Sequence, residues 1–313
     1  MRILFVGAGV IGSIYAAKMA YAGHDITMLA RGKRLENINK YVIMLENDTD
    51  GQKLAVRVKT IEALAGDEAY DLIIVAVRSD QVGSILPVLK ADKKASAVLF
   101  MVNNPLGYEK WIEAVGRQRT LIGFPGAGGG IKGAVVNYTI VPGWMQPTTI
   151  GELDGAITPR VKRISTAMTS AGFPVSVCTN MDAWQKYHVA WVTPCSFGIY
   201  HALDKGNKLC ESAESIRLMV QGIKEGFRVL RFMGIQVTPS KLKVFNVLPS
   251  RELEWIFELW AGSHQFETVA VRHSLNARDE MQALARGFME LVKKSGIPTP
   301  ALDHLYRGLL KVI

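Results

Sequence analysis

The 313-residue chain is poor in cysteine: Cys178, Cys195 and Cys210 are odd in number, widely spaced and form no Cys-x-x-Cys pair. That excludes a disulfide framework and a cysteine-based zinc site as organising features, and reduced thiols are expected. None of its six histidines stands four residues from another, so the helical ligand pair of many metalloenzymes is missing and no metal is expected. No apolar run approaches the roughly 20 residues a membrane-spanning helix requires, so no membrane partner is expected. Lys and Arg outnumber Asp and Glu, 37 to 28, for a formal net charge of +9. These cations are scattered and form no stripe interleaved with aromatics, which argues against nucleic acid and leaves small anions as the fitting partners. Internal repeats and low-complexity tracts are also missing.

What is present is an ordinary globular composition, 49% hydrophobic and 21% charged, over a length that favours two domains. The chain opens MRILFVGAGVIGSIYAAKMAYAGHDITMLARGKRL. Residues 2–6 read as a buried strand, Ile14 to Ala22 as a helix with small residues on one side, and 24–30 as a second strand ending at Arg31. A charged start before an apolar stretch imitates an export signal, but three glycines make a poor signal helix. Between a strand and a helix, each glycine of Gly7-Ala8-Gly9-Val10-Ile11-Gly12 has a separate task. The first permits the tight turn, the second lets backbone approach a pyrophosphate, and the third lets the helix pack on the sheet. The helix N-terminus then offers its N–H groups to the phosphates, so these six residues are candidates for dinucleotide binding. Where NAD enzymes place an acid for the ribose 2′-hydroxyl, this strand ends at Arg31, with Lys33 and Arg34 behind it. A guanidinium suits a 2′-phosphate, so the expected cofactor is NADP (NADPH). The competing reading is three solvated charges opening a helix.

Further along, 53–59, 71–77 and 96–102 read as strands, the last two apolar enough to be covered on both faces. A turn follows at Asn103-Asn104-Pro105. Residues 119–151, rich in Gly, Pro and β-branched side chains, suggest antiparallel strands completing the first domain. After Val175 the helical period takes over, through Ile216, Met219, Val220, Ile223, Phe227 and Leu230, then 253–273, 279–294 and 300–312. The expected architecture is α/β: a Rossmann-type, doubly wound sheet domain at 1–179, then an all-α domain at 180–313 for substrate and catalysis.

The whole chain also resembles the ketopantoate reductase (2-dehydropantoate 2-reductase) family. GAGVIG with Arg31-Gly32 is followed by VAVRSDQ (75–81), NNPLGYE (103–109), TIGELDG (149–155), AWQK (183–186), RDEMQAL (278–284) and SGIPTP (295–300), and their order and spacing carry the resemblance. It implies a 6-phosphogluconate-dehydrogenase-like fold and cytoplasmic, NADPH-dependent reduction of a 2-oxo acid, ketopantoate to pantoate in pantothenate synthesis. It implies that Lys186 donates the proton to the carbonyl oxygen and that Glu280 binds the substrate hydroxyl and helps place the nicotinamide. Asn104 stands where the family has an asparagine at cofactor and substrate, Thr268 keeps a substrate-facing hydroxyl, and Arg78 replaces a cofactor lysine. Taken without the resemblance, Lys186 is one half of a helical ion pair with Asp182, and Glu280 decorates a helix. Three positions depart from the family. Ala190 and Pro194 stand where it has pocket asparagines, and Pro105 where it has a glycine. The departures leave the 2-oxo acid open, with another hydroxyacid or opine-type dehydrogenase and a non-catalytic NADP sensor as alternatives. A basic, helix-rich C-terminal half is compatible with a homodimer.

Overall fold

Ile3, Leu4, Phe5 and Val6 are almost wholly buried, which is why the opening residues form a central strand rather than an edge. The computed structural model describes residues 1–64, 68–263 and 266–307, with the side chains of Thr268, Val269 and His273 also outside the described residues. The chain divides into two compact units, one of 1–102 with 108–181 and one of 103–107 with 182–313.

Among its described residues the first unit has twelve strands, β1 (Arg2–Val6), β2 (Asp25–Leu29), β3 (Ile43–Asn47), β4 (Lys53–Val56), β5 (Lys59–Ile61), β6 (Leu72–Val75), β7 (Val98–Met101), β8 (Thr120–Phe124), β9 (Ala127–Lys132), β10 (Val135–Ile140), β11 (Thr148–Glu152) and β12 (Val175–Val177). Eight of them form one sheet in the order β12-β11-β8-β7-β6-β1-β2-β5. All neighbours in it run parallel except β8 and β11. A second sheet has the order β4-β3-β10-β9. The helices here are α1 (Val10–Tyr21), α2 (Gly32–Tyr41), α3 (Val82–Ala91), α4 (Glu109–Val115) and α5 (Pro159–Ser170). Helix α1 packs against strands of both sheets, so Gly12, Ser13, Ile14, Tyr15, Ala16, Ala17 and Met19 are all buried and the helix lacks a polar face. Tyr15 fixes it, stacking on Phe173 with centroids 4.0 Å apart and sharing a 2.5 Å hydrogen bond with the Thr148 hydroxyl.

The doubly wound α/β architecture followed by a helical region is thus the one expected from the sequence, with local differences. The single strand expected over 53–59 is two strands in different sheets. β4 pairs antiparallel with β3, and β5 pairs parallel with β2. Alternation continues through Val58, so periodicity does not register where the chain changes partner.

The second unit is helical: α6 (Met181–Asp204), α7 (Ala213–Phe232), α8 (Val244–Val247), α9 (Ser250–Ala261), a π turn over Glu267–Val271, α10 (Arg272–Asn276), α11 (Arg278–Ser295) and α12 (Pro300–Leu305). Its core gathers Tyr187, Phe227, Phe266, Phe288 and Tyr306, each fully buried. The continuous helix expected over 253–273 ends at Ala261, where Gly262 caps it. The Ser263 hydroxyl then donates to the Trp260 carbonyl and accepts from the Phe266 N–H, which satisfies the broken turn. Among the described residues, no helix is long and apolar enough to cross a membrane.

Candidate functional site

In the first unit the site grows from the turn between β1 and α1. Gly7 has φ +113°, and a Cβ there would fall 2.5 Å from the Ala76 carbonyl oxygen. A Cβ on Gly12 would lie 1.9 Å from the Gly7 carbonyl oxygen, so the first turn of α1 closes directly onto the turn backbone. Gly9 is different. It caps α1, no side chain caps the helix there, and a Cβ would meet nothing within 4 Å. Val10 and Ile11 open the helix, and the N–H groups of a helical first turn have no intrahelical acceptor. An uncapped helix N-terminus facing open space is of the kind that could hold an anion such as a pyrophosphate.

Arg31 is the N-cap residue of α2 and is exposed. Its guanidinium makes no hydrogen bond or ion pair among the described residues. Arg34, one turn on, points back to the glycine turn. Its Nε donates to the Ala8 carbonyl and its terminal nitrogen to the Ser13 hydroxyl, both at 2.9 Å. Burial lowers its pKa, yet a guanidinium remains charged at any ordinary pH. This brace was missed in the sequence, where Arg34 is only one of three clustered charges and nothing marks its direction. Arg78 follows β6 and pairs with Asp80 at 3.1 Å, both side chains 44% exposed, so the pair opens at little cost.

In the second unit Lys186 lies on α6 with its side chain 13% exposed. Its Nζ contacts both carboxylate oxygens of Asp182 one turn earlier. Gln185, fully buried, accepts from the Asn104 backbone N–H at 3.1 Å and so ties the 103–107 segment beside Lys186. Gln185 was not among the residues singled out from sequence. The Asn104 side chain closes its own loop, accepting from the Leu106 N–H and donating to the Gly107 carbonyl. Pro105 and Leu106 pack on α11, where a Cβ at Gly287 would fall 3.2 Å from the proline ring. Glu280, half-buried, stands in the first turn of α11, where the helix dipole favours a carboxylate. The Thr268 side chain lies outside the described residues.

Ala190 and Pro194 face the helical core. Ala190 is 0% exposed, and a Cβ on Gly226 of α7 would come within 3.2 Å of its Cβ. Pro194 stands over Gly222 in the same way, at 3.3 Å. These two positions therefore let α6 and α7 approach closely. His188 is buried between Trp184 and Trp191, stacked on the first with centroids 5.1 Å apart.

Residues 3–155 match the family described as ketopantoate reductase PanE/ApbA. A 2-dehydropantoate 2-reductase of Pyrococcus horikoshii is 27% identical over 269 residues, spanning 84% of this chain and 85% of its own. Two solved structures share the fold. One is a 2-dehydropantoate 2-reductase from Geobacter metallireducens GS-15, with TM-score 0.77, 18% identity and both chains covered completely. The other is D-mandelate dehydrogenase in a ternary structure with NADH and anilino(oxo)acetate, with TM-score 0.76, 16% identity and 99% and 97% coverage.

Proposed function

Because residues 3–155 match the ketopantoate reductase family, we propose that the chain is an NADPH-dependent 2-oxo acid reductase whose foremost substrate is 2-dehydropantoate. The observation that carries the reading is Lys186, whose side chain is only 13% exposed on α6, where the resemblance places the family lysine. A bound reduced nicotinamide supplies the hydride. The Gly7–Gly12 turn binds the pyrophosphate at the open end of α1, and the unengaged Arg31 takes the 2′-phosphate. Arg34 holds the Ala8 carbonyl in place and adds positive potential to the turn. Lys186 directs its ammonium at the carbonyl oxygen, stabilises the alkoxide as it develops and gives it the Nζ proton. Asp182 fixes the lysine's direction until substrate arrives, and its exposure lets solvent restore the proton. Glu280 accepts from the substrate hydroxyl. Asn104 positions the segment tethered by Gln185.

The test is NADPH oxidation with 2-dehydropantoate. Lys186→Ala is expected to lose roughly 10²–10⁴-fold in kcat, as for removal of a general acid, with NADPH affinity retained. Wild-type turnover by this variant would overturn the mechanism. A second reading, reduction of a different 2-oxo acid, is raised by the fold shared with D-mandelate dehydrogenase. A panel of aliphatic and aryl 2-oxo acids decides between them by kcat/KM.

A further inference from the structure

Three ligand-bearing side chains of the helical unit, distant in sequence, meet away from Lys186. His201 lies near the C-terminus of α6, Glu214 in the first turn of α7 and His304 on α12. One ring nitrogen from each histidine and one carboxylate oxygen all lie within 4.8 Å of one another. We propose that these residues bind a late first-row divalent cation, zinc foremost, and that the ion pins the three helices together.

The donor geometry supports this. Around tetrahedral zinc with bonds of about 2.0–2.1 Å, neighbouring donors stand about 3.3–3.5 Å apart. Side-chain rotations moving the donors by about 1 Å would close the set to that spacing. The two imidazoles have centroids 5.7 Å apart and cross at 67°, so they are not stacked face to face and each can present a nitrogen edge.

The surroundings orient the first ligand. His201 Nδ1 is hydrogen-bonded to the Ser215 hydroxyl at 2.8 Å, and Ser215 is in turn bonded to Ser212 at 2.7 Å. Ser215 is fully buried, so this support is fixed, and it leaves Nε2 as the nitrogen for the ion. A ligating histidine held through its other ring nitrogen is the usual arrangement at protein metal sites. The His304 ring makes no hydrogen bond among the described residues. Glu214 pairs through Oε2 with Lys205 at 2.5 Å, but these side chains are 47% and 46% exposed. Such a surface pair is weak, and the long lysine can swing away from a competing dication.

The donor set decides the class of ion. Two imidazoles and one carboxylate suit zinc and its neighbours, whereas magnesium and calcium prefer oxygen alone. Three protein ligands leave one position for water. His201 stands fifteen residues beyond Lys186 on the same helix, about 22 Å at 1.5 Å per residue, so the site is separate from the proposed proton donor.

The experiment uses tag-free, full-length protein stripped of metal with a chelator and titrated with ZnCl2, CoCl2 or MgCl2. Zinc is expected to bind one ion per chain and raise the melting temperature, cobalt to give visible absorption, and magnesium to do neither. His304→Ala is expected to weaken zinc at least about tenfold, and Ser215→Ala, which leaves all three ligands, by roughly 10-fold. Glu214→Gln, an exposed substitution that the fold tolerates, gives the same test should a histidine variant fail to fold. Zinc binding unchanged in both His304→Ala and Glu214→Gln, or no zinc-dependent shift in the wild type, would overturn the proposal.

Discussion

A methyl group at Gly12 would collide with backbone, whereas one at Gly9 would enter open space. The two glycines of one turn therefore make opposite demands. Gly12→Ala is expected to destabilise the fold by roughly 1–3 kcal/mol, as overpacking against an unyielding partner does. Gly9→Ala should leave stability nearly unchanged, because its φ of −74° suits alanine, while the new methyl group obstructs the phosphate. Urea unfolding and NADPH fluorescence titration separate the two outcomes. Arginine side chains divide similarly. Arg31→Ala is expected to weaken NADPH roughly 10–100-fold, the worth of a charged hydrogen bond, and leave NADH unaffected. Arg34→Ala should weaken both cofactors, because it releases the Ala8 carbonyl that shapes the turn. Equal losses of NADPH and NADH in Arg31→Ala would remove the 2′-phosphate assignment.

At the scale of elements, the α6–α7 pair explains the two positions that depart from the ketopantoate reductase pattern the chain resembles. Ala190 and Pro194 face Gly226 and Gly222, so small residues on both helices let the backbones come close. Ala190→Asn is expected to cost roughly 1–3 kcal/mol in stability and to bring no gain in 2-dehydropantoate reduction. Increased kcat/KM with a stable fold would show that the position lines a substrate pocket after all. Much at this scale was legible in the sequence. The glycine turn, the parallel strands and the Asp182–Lys186 pair depend on residues within a few positions of one another. The division of 53–59 between two sheets was not legible, because the alternation of Leu54, Val56 and Val58 fits either partner. The break at Gly262 was hidden because apolar residues recur at helical spacing on both sides of it.

For the whole molecule, pH acts through histidine. His24, between α1 and β2, has a pKa lowered from 6.5, first by burial and then by the N-terminal ammonium beside it. The folded state thus resists a proton that the unfolded chain accepts. Its stabilising contribution is present above about pH 6.5 and is lost as pH falls through the lower folded value. Calorimetry should show a melting temperature falling below about pH 6.5, with a shallower fall in His24→Asn.

By itself the sequence determined the glycine turn between β1 and α1, the α/β-then-helical order and the resemblance to the ketopantoate reductase family. Each follows from local sterics, from hydrophobic period or from motifs in a fixed order. Only the tertiary structure decided that Arg34 returns to Ala8, that Gln185 tethers Asn104, and that Ala190 and Pro194 are core contacts. It also decided that His201, Glu214 and His304 converge, although no pair of histidines has the spacing of a helical metal site. The physical reason is common to all four. Which face of a helix is covered, and by what, depends on partners distant along the chain, and local periodicity carries no record of them.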